Sequence, residues 1–211
     1  MSQKTYHLKD ILSMELRYRA NFINCLSGFK SLNLVGTVSH EKAISNLAPF
    51  SSAVHIGSNP PLMGMISRPA TVIRHTLENI IETGFWTMNQ VALDFVTQSH
   101  QCAARYETSE FEATGLNEFY GEIPAPYVEE SQVKIGLELV EKIDIASNGT
   151  ILLIGKVVEV FLPEDILRDD GSLDLESANT VTVSGQDTYH LTNELVRLSY
   201  PKVNSALNKL H

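Results

Sequence analysis

Asn46-Leu47-Ala48-Pro49-Phe50-Ser51-Ser52 is a run of seven residues without a charge. It carries an amide, two hydroxyls and a proline beside a phenylalanine. It lies between two apolar runs, Leu32-Asn33-Leu34-Val35-Gly36-Thr37-Val38 before it and Asn59-Pro60-Pro61-Leu62-Met63-Gly64-Met65-Ile66-Ser67 after it. A neutral segment of this kind between strands suits a ligand held by backbone N–H groups and short side chains.

Working outward, Leu32, Leu34 and Gly36 alternate with Asn33, Val35 and Thr37, so residues 31–39 read as a strand. The apolar character is nearly continuous, as in a barrel wall buried on both faces. Glu41 to Ser45 is a polar hairpin tip, and a second strand is expected from about Ala48 to Ile56. Gly57-Ser58-Asn59-Pro60-Pro61 reads as a turn, followed by a third strand from Leu62 to Arg68. Arg74 to Gly84 reads as a helix, with Thr76 as N-cap, Gly84 as stop signal, and Leu77, Ile80 and Ile81 on one apolar face.

Phe85 to Asn89 reads as a strand, with Phe85 and Trp86 in the core. Residues 91–104 look helical, with Val91, Phe95 and Cys102 inward. Glu107 to Gly121 is a polar connection holding a short acidic helix, ended by Pro124 and Pro126. Two long strands follow, Gln132 to Ile143 and Thr150 to Phe161, joined by the turn signal Ser147-Asn148-Gly149. The carboxylate-rich stretch Pro163 to Glu176 reads as a solvated loop, because Asp169 to Asp174 lacks EF-hand spacing. A last strand spans Thr180 to Val183. Residues 1–30 form an N-terminal arm with a short helix from Asp10 to Leu16, and residues 31–211 form one domain. The expected class is mainly β: six or more strands in a closed or split β-barrel, with two or three peripheral helices.

The net charge of −9 disfavours nucleic acid or an anionic membrane as partner. The two cysteines, Cys25 and Cys102, read as reduced thiols, and no CxxC or Cys/His cluster is present. Residues 1–7 show no apolar signal core, and no apolar run approaches the roughly 18 residues of a membrane-spanning helix. A cytoplasmic location is expected. No GxGxxG, P-loop, HExxH or GxSxG pattern occurs, and the seven histidines lack ligand spacing, so no metal site and no acylating serine are expected.

The order of these pieces resembles the flavin reductase-like FMN-binding split-barrel family. The matching segments are Asn46 to Ser52, Asn59-Pro60-Pro61-Leu62, Thr76-Leu77-Glu78-Asn79-Ile80 through Glu82-Thr83-Gly84, and Met88-Asn89. Pro126 to Ser131 and the strand ending Gly155-Lys156-Val157 match more weakly, so the resemblance covers roughly residues 30–160. It implies a Greek-key split barrel, a homodimer, FMN (FAD being possible) near the dimer interface, and electron exchange with NAD(P)H or an electron-transfer protein. By the same resemblance, Thr37, Val38 and Ser39 and Asn46, Leu47 and Ala48 meet the flavin edge. Pro49, Ser51, Ser52, Ser67, Arg68, Arg74, Thr76 and Asn79 complete the expected cofactor site. Arg74 and the helix start at Thr76 suit a phosphate, which favours a cation and a helix N-terminus. No catalytic residue is assigned, since hydride transfer to flavin needs no protein acid or base.

The chain departs from the family pattern in three places. His75 stands where the family often has Asp. Ser147-Asn148-Gly149-Thr150 replaces an Asp-His pair. A C-terminal His-x-x-Arg-Tyr-like run is echoed only by Tyr189-His190 or Arg197-Leu198-Ser199-Tyr200. Three functions therefore stand open: a flavin reductase, a flavoredoxin-like electron carrier, and a flavin-free binding module on the same barrel.

Overall fold

The computed structural model describes residues 3–41 and 43–210. Helices α1 (Leu8–Ser13) and α2 (Leu16–Cys25) come first, then strands β1 (Lys30–Ser31), β2 (Asn33–Val38), β3 (Ser45–Phe50), β4 (Val54–Ser58) and β5 (Pro61–Ser67). Helix α3 (His75–Thr83) and strand β6 (Phe85–Gln90) follow, then α4 (Val96–Gln101) and α5 (Glu110–Thr114). The remaining strands are β7 (Glu118–Phe119), β8 (Tyr127–Val128), β9 (Lys134–Ile145), β10 (Thr150–Phe161), β11 (Val181–Ser184), β12 (Thr188–Leu191), β13 (Arg197–Leu198) and β14 (Lys209–Leu210).

The main sheet has seven strands in the order β3-β2-β6-β9-β10-β5-β4, all antiparallel. The expected single strand from Ala48 to Ile56 is divided, because Ser51, Ser52 and Ala53 leave the ladder. β3 and β4 therefore lie at opposite edges of the sheet while only those three residues join them. Phe50 and Val54 are four residue steps apart, so their Cα atoms lie within about 15 Å of each other. The sheet must curl until its edges nearly meet. No hydrogen-bonded ladder joins β3 to β4, so the sheet is not closed into a barrel.

The core follows from this curl. One apolar cluster centres on Val35, Met65, Trp86, Met88, Leu137 and Leu153, with Leu77 and Ile80 of α3 packed against it. α3 ends at Gly84, whose φ of +77° is the left-handed conformation glycine tolerates. Ile81, expected inward, is half exposed. A second cluster lies over Leu34 and Leu47 and takes in Val91, Phe95, Cys102, Phe111 and Val181. The expected inward positions Val91, Phe95 and Cys102 are all buried. Desolvation pushes the Cys102 thiol up to about 11, so it stays protonated at neutral pH.

Two glycines are there for space. A Cβ on Gly36 would lie 2.0 Å from the Pro126 carbonyl oxygen, and one on Gly155 would lie 2.3 Å from the Trp86 ring. Gly36 lets residues 124–128 lie on β2, where Pro126 O accepts from the Thr87 hydroxyl.

Among the described residues the α-helices number five rather than the expected two or three, and two of them belong to the arm. The arm helix expected over Asp10 to Leu16 is broken at Met14, whose backbone is extended. The second helix then runs on to Cys25. The strand pairs β7–β8 and β13–β14 carry no period a sequence reading finds. No helix among the described residues is long and apolar enough to cross a membrane.

The C-terminal tail is clasped to the acidic loop. Arg168 pairs with Glu194 at 3.0 Å and Asp174 at 3.3 Å, and Arg197 pairs with Asp170. Hydrogen bonds from Ser172 and the nearby Arg197 guanidinium hold the Asp170 carboxyl down to about 2.

Two outcomes follow. Gly36→Ala is expected to cost about 3 kcal/mol, because backbone rather than a flexible side chain must move, and urea unfolding measures this. A depressed carboxyl stabilises the clasp above its ordinary pKa and loses that contribution as pH falls through the folded value. Amide exchange at Leu198 and Leu210 should therefore quicken, relative to the β9–β10 hairpin, as pH drops from about 4 toward 2.

Candidate functional site

The junction of α3 with β2 and β3 brings together four residues singled out from sequence. Asn46 donates through Nδ2 to Thr37 Oγ1 at 3.2 Å and to Thr76 Oγ1 at 3.1 Å. Asn79 donates through Nδ2 to the same Thr37 oxygen at 3.1 Å. Thr37, Thr76 and Asn79 are buried and Asn46 is partly exposed. The spacing of α3 explains the pairing: Thr76 and Asn79, three residues apart, share its inner face. Thr76 is not the N-cap. Arg74 occupies that position without a side-chain cap bond, and the Thr76 hydroxyl turns to Asn46 instead.

Arg74 is the unusual residue here. Its Nε is buried and has no hydrogen-bond partner, and the side chain forms no ion pair among the described residues. A buried, unpaired guanidinium nitrogen is costly unless something accepts from it. Its position at the start of a nine-residue helix adds the partial positive charge of unpaired N–H groups. The donor set suits an anion.

A second group lies where β5 ends. The Ser52 hydroxyl donates to Ile66 O at 2.9 Å and accepts from Ile66 N at 3.1 Å, tying the strand-linking segment to β5. Ser67 is buried, with its hydroxyl on Arg68 O at 3.3 Å, and Arg68 is exposed without an ion pair. Residues 68–74 connect this group to Arg74. Ser51 and Pro49 are partly buried beside it in the chain.

At the other end, Val38 and Ser39 close β2, and the Ser39 hydroxyl accepts from Ile44 N at 3.1 Å. The Leu47 N–H is engaged: Glu110 of α5 accepts from it at 2.9 Å. This N–H faces away from β2, and Pro49, two residues on, has none, so the outer edge of β3 offers few free donors. Ala48 faces β2 in register with Val35.

A cavity of about 310 Å³ opens beside this junction, lined by Ser39, Ser45, Asn46, His75, Asn79, Tyr106 and five glutamates: Glu41, Glu78, Glu82, Glu107 and Glu110. The five carboxylates make this cavity unfavourable for an anion, whereas Arg74 favours one. Sequence reading missed these carboxylates because they come from three separate segments. Glu118 was missed too: it accepts from the Ser45 hydroxyl and, at 2.6 Å, from Tyr120. That bond and burial raise the Tyr120 pKa. Asn89, noted only for its place beside Met88, binds Leu34 O at 3.0 Å, the Thr87 hydroxyl at 2.8 Å and Val128 N at 3.0 Å. It stitches three strands and is not among the residues lining the cavity beside α3.

Elsewhere His100 meets the Tyr189 hydroxyl at 2.6 Å, and His190 meets Ser184 at 2.8 Å. Among the described residues no cluster of His, Cys, Asp and Glu could hold a metal.

A curled antiparallel sheet that stays open between β3 and β4, with α3 packed on β2 and β3, is a split barrel. The chain belongs to the flavin reductase like domain family, whose profile matches residues 26–177. Family membership makes it a flavin-associated protein, an oxidoreductase or electron carrier. The fold is shared with a provisionally named flavin reductase with a split barrel domain from Shewanella frigidimarina NCIMB 400. That protein is 45% identical, with a TM-score of 0.90, over 94% of this chain and 100% of the other. Nitrilotriacetate monooxygenase component B from Bacillus cereus shares the fold at 21% identity and a TM-score of 0.82, over 94% of this chain and 100% of the other. Flavoredoxin of Desulfovibrio vulgaris (Miyazaki F) is 27% identical with a TM-score of 0.69, over 85% of this chain and 93% of the other. Comparison with curated protein sequences gives no match.

Thr37 is the shared acceptor of the junction. Thr37→Val is expected to lose about 1–3 kcal/mol, since Asn79 is left with an unpaired buried donor. Thr37→Ser, which keeps the oxygen, should lose less than half of that in the same urea titration.

Proposed function

We propose that this chain is a homodimeric, FMN-binding flavin reductase that takes hydride from NAD(P)H and passes electrons onward. The observation that carries this reading is the unpartnered Arg74 Nε at the start of α3. Flavin mononucleotide ends in a phosphate, and this is the chemistry such a nitrogen lacks. The residues fit the cofactor. Arg74 and the first N–H groups of α3 would hold the phosphate, and Arg68 and Ser67 lie at the other end of the segment leading to Arg74. The Thr37–Asn46–Thr76–Asn79 network fixes the helix start, so that its N–H groups point at one place. Val38, Ser39, Asn46, Ala48 and the strand-linking Ser51 and Ser52 would flank the ring. Leu47 contributes its side chain to the core and its N–H to Glu110.

When bound, the flavin supplies a hydride-accepting position and an electron store. The protein positions it, shields it from water and sets the local charge. The glutamates of the neighbouring cavity orient the cofactor by repelling its phosphate. They also disfavour the pyrophosphate of a nicotinamide dinucleotide in that cavity, so the hydride donor approaches from elsewhere. The absence of any membrane-spanning helix among the described residues supports a cytoplasmic place.

The second reading is an electron carrier without its own NAD(P)H activity. It is favoured by Ser147-Asn148-Gly149-Thr150 standing where reductases carry an Asp-His pair, and by the 27% identity to a flavoredoxin. Stopped-flow mixing separates the two. NADH or NADPH should bleach the protein-bound flavin faster than free flavin in the reductase, and no faster in the carrier.

Arg74→Ala is expected to weaken FMN binding about 10-fold or more, the scale of one lost charge-assisted hydrogen bond at about 1.5–3 kcal/mol. The melting temperature without flavin should be unchanged or higher, because a buried orphan is removed. Fluorescence titration of FMN into the apoprotein measures the first and calorimetry the second.

A further inference from the structure

We propose that the N-terminal arm and the C-terminal tail together form the face on which a second copy of this chain docks. This rests on the homodimer reading above and adds which surfaces meet.

α1 and α2 bury no residue. Helices of six and ten residues are too short to persist in water without packing. Among the described residues, no apolar side chain before Leu32 or after Val183 is buried. Yet fifteen of the 29 exposed large hydrophobics among the described residues belong to residues 8–29 and 191–210. Leu16 is 72% exposed, Leu26 66%, Leu195 94% and Val203 90%. The two segments start from one place. β1, which follows the arm, and β12, which precedes the tail, flank β11 in the small three-stranded sheet. Phe29 stands edge-on to His190 with ring centres 4.8 Å apart. The tail is also held rather than loose, through the Arg168 and Arg197 ion pairs. Fifteen such side chains expose on the order of 1,000 Å² of apolar surface, against roughly 800 Å² per partner in a stable interface.

Charge identifies the occupant. Residues 1–30 hold five Lys or Arg and two Asp or Glu, a net +3, while the rest of the chain carries −12. A basic apolar arm is complementary to an acidic body, and the body available at equal concentration is that of another copy. A two-fold arrangement uses each arm and each body once and closes on itself.

Sedimentation of the full-length protein tests this, with Leu16→Glu/Leu26→Glu and Leu195→Glu/Val203→Glu as variants. Both pairs are exposed in the single chain, so the fold is expected to survive. The wild type should be a dimer at about 10 µM, each double variant should raise the dimer dissociation constant at least ~100-fold, and 0.5 M salt should weaken the dimer about 10-fold. In the unaltered protein, amide exchange over Leu8–Ser13 and Leu16–Cys25 should be slow in the dimer and fast on dilution to monomer. Variants as dimeric as the wild type, or exchange over the arm that ignores dilution, overturn the arm-and-tail assignment while the homodimer stands. A wild type monomeric at about 100 µM overturns both and hands the surface to a different partner.

Discussion

Three residues govern the architecture. Ser51, Ser52 and Ala53 join the two opposite edges of a seven-stranded sheet, so the sheet can exist only in a curled form. The curl encloses Trp86, Met65 and Leu153, with α3 packed on β2 and β3 and its first turn beside the start of β3. Ser52 reinforces the crossing by bonding both backbone groups of Ile66. The Thr37–Asn46–Thr76–Asn79 junction needs only one edge, since β2 and β3 are neighbours and α3 packs on both; the Ser51–Ser52 link then carries the chain across to the β5 edge, where Ser67 lies.

Charge divides what the curl assembles. An arginine with an unsatisfied buried nitrogen stands at the helix start, and five glutamates line the adjoining cavity. In a chain of net charge −9 this separation is informative, since a local cation is held without a carboxylate while carboxylates crowd a short distance along the chain. The same imbalance distinguishes the arm from the body. Buried carboxylate partnerships elsewhere are satisfied. Burial would raise the Glu159 pKa, but the Tyr127 hydroxyl and the N–H groups of Glu122 and Ile123 hold it below its ordinary value.

Local patterns carried much of this into the sequence. The long hairpin from Gln132 to Phe161 and the Gly84 helix stop are read from alternation and from one residue's dihedral freedom, and both stand in the structure. The break at Ser51 was not legible, because hydroxyls and alanine do not forbid a strand; only the edge-to-edge crossing removes them from the ladder. Thr76 matched a capping pattern, but the partly buried amide of Asn46 competed for its oxygen and won. Glu110 on Leu47 N joins residues 63 apart, beyond any periodicity. The arm reads from sequence as one helix over Asp10 to Leu16; α2, which buries no residue and so carries no clear apolar stripe, was not legible.

The two edges of the main sheet are unlike. On β3, Glu110 accepts from the Leu47 N–H and Pro49 offers none, so that edge gives an incoming strand little to pair with. On β4 nothing comparable occurs among the described residues, and Val54 and Ile56 are exposed. Strand addition to this sheet is therefore one-ended. A molecule joined through β4 presents no second receptive edge, so pairing of this kind terminates at two chains instead of propagating into a fibre.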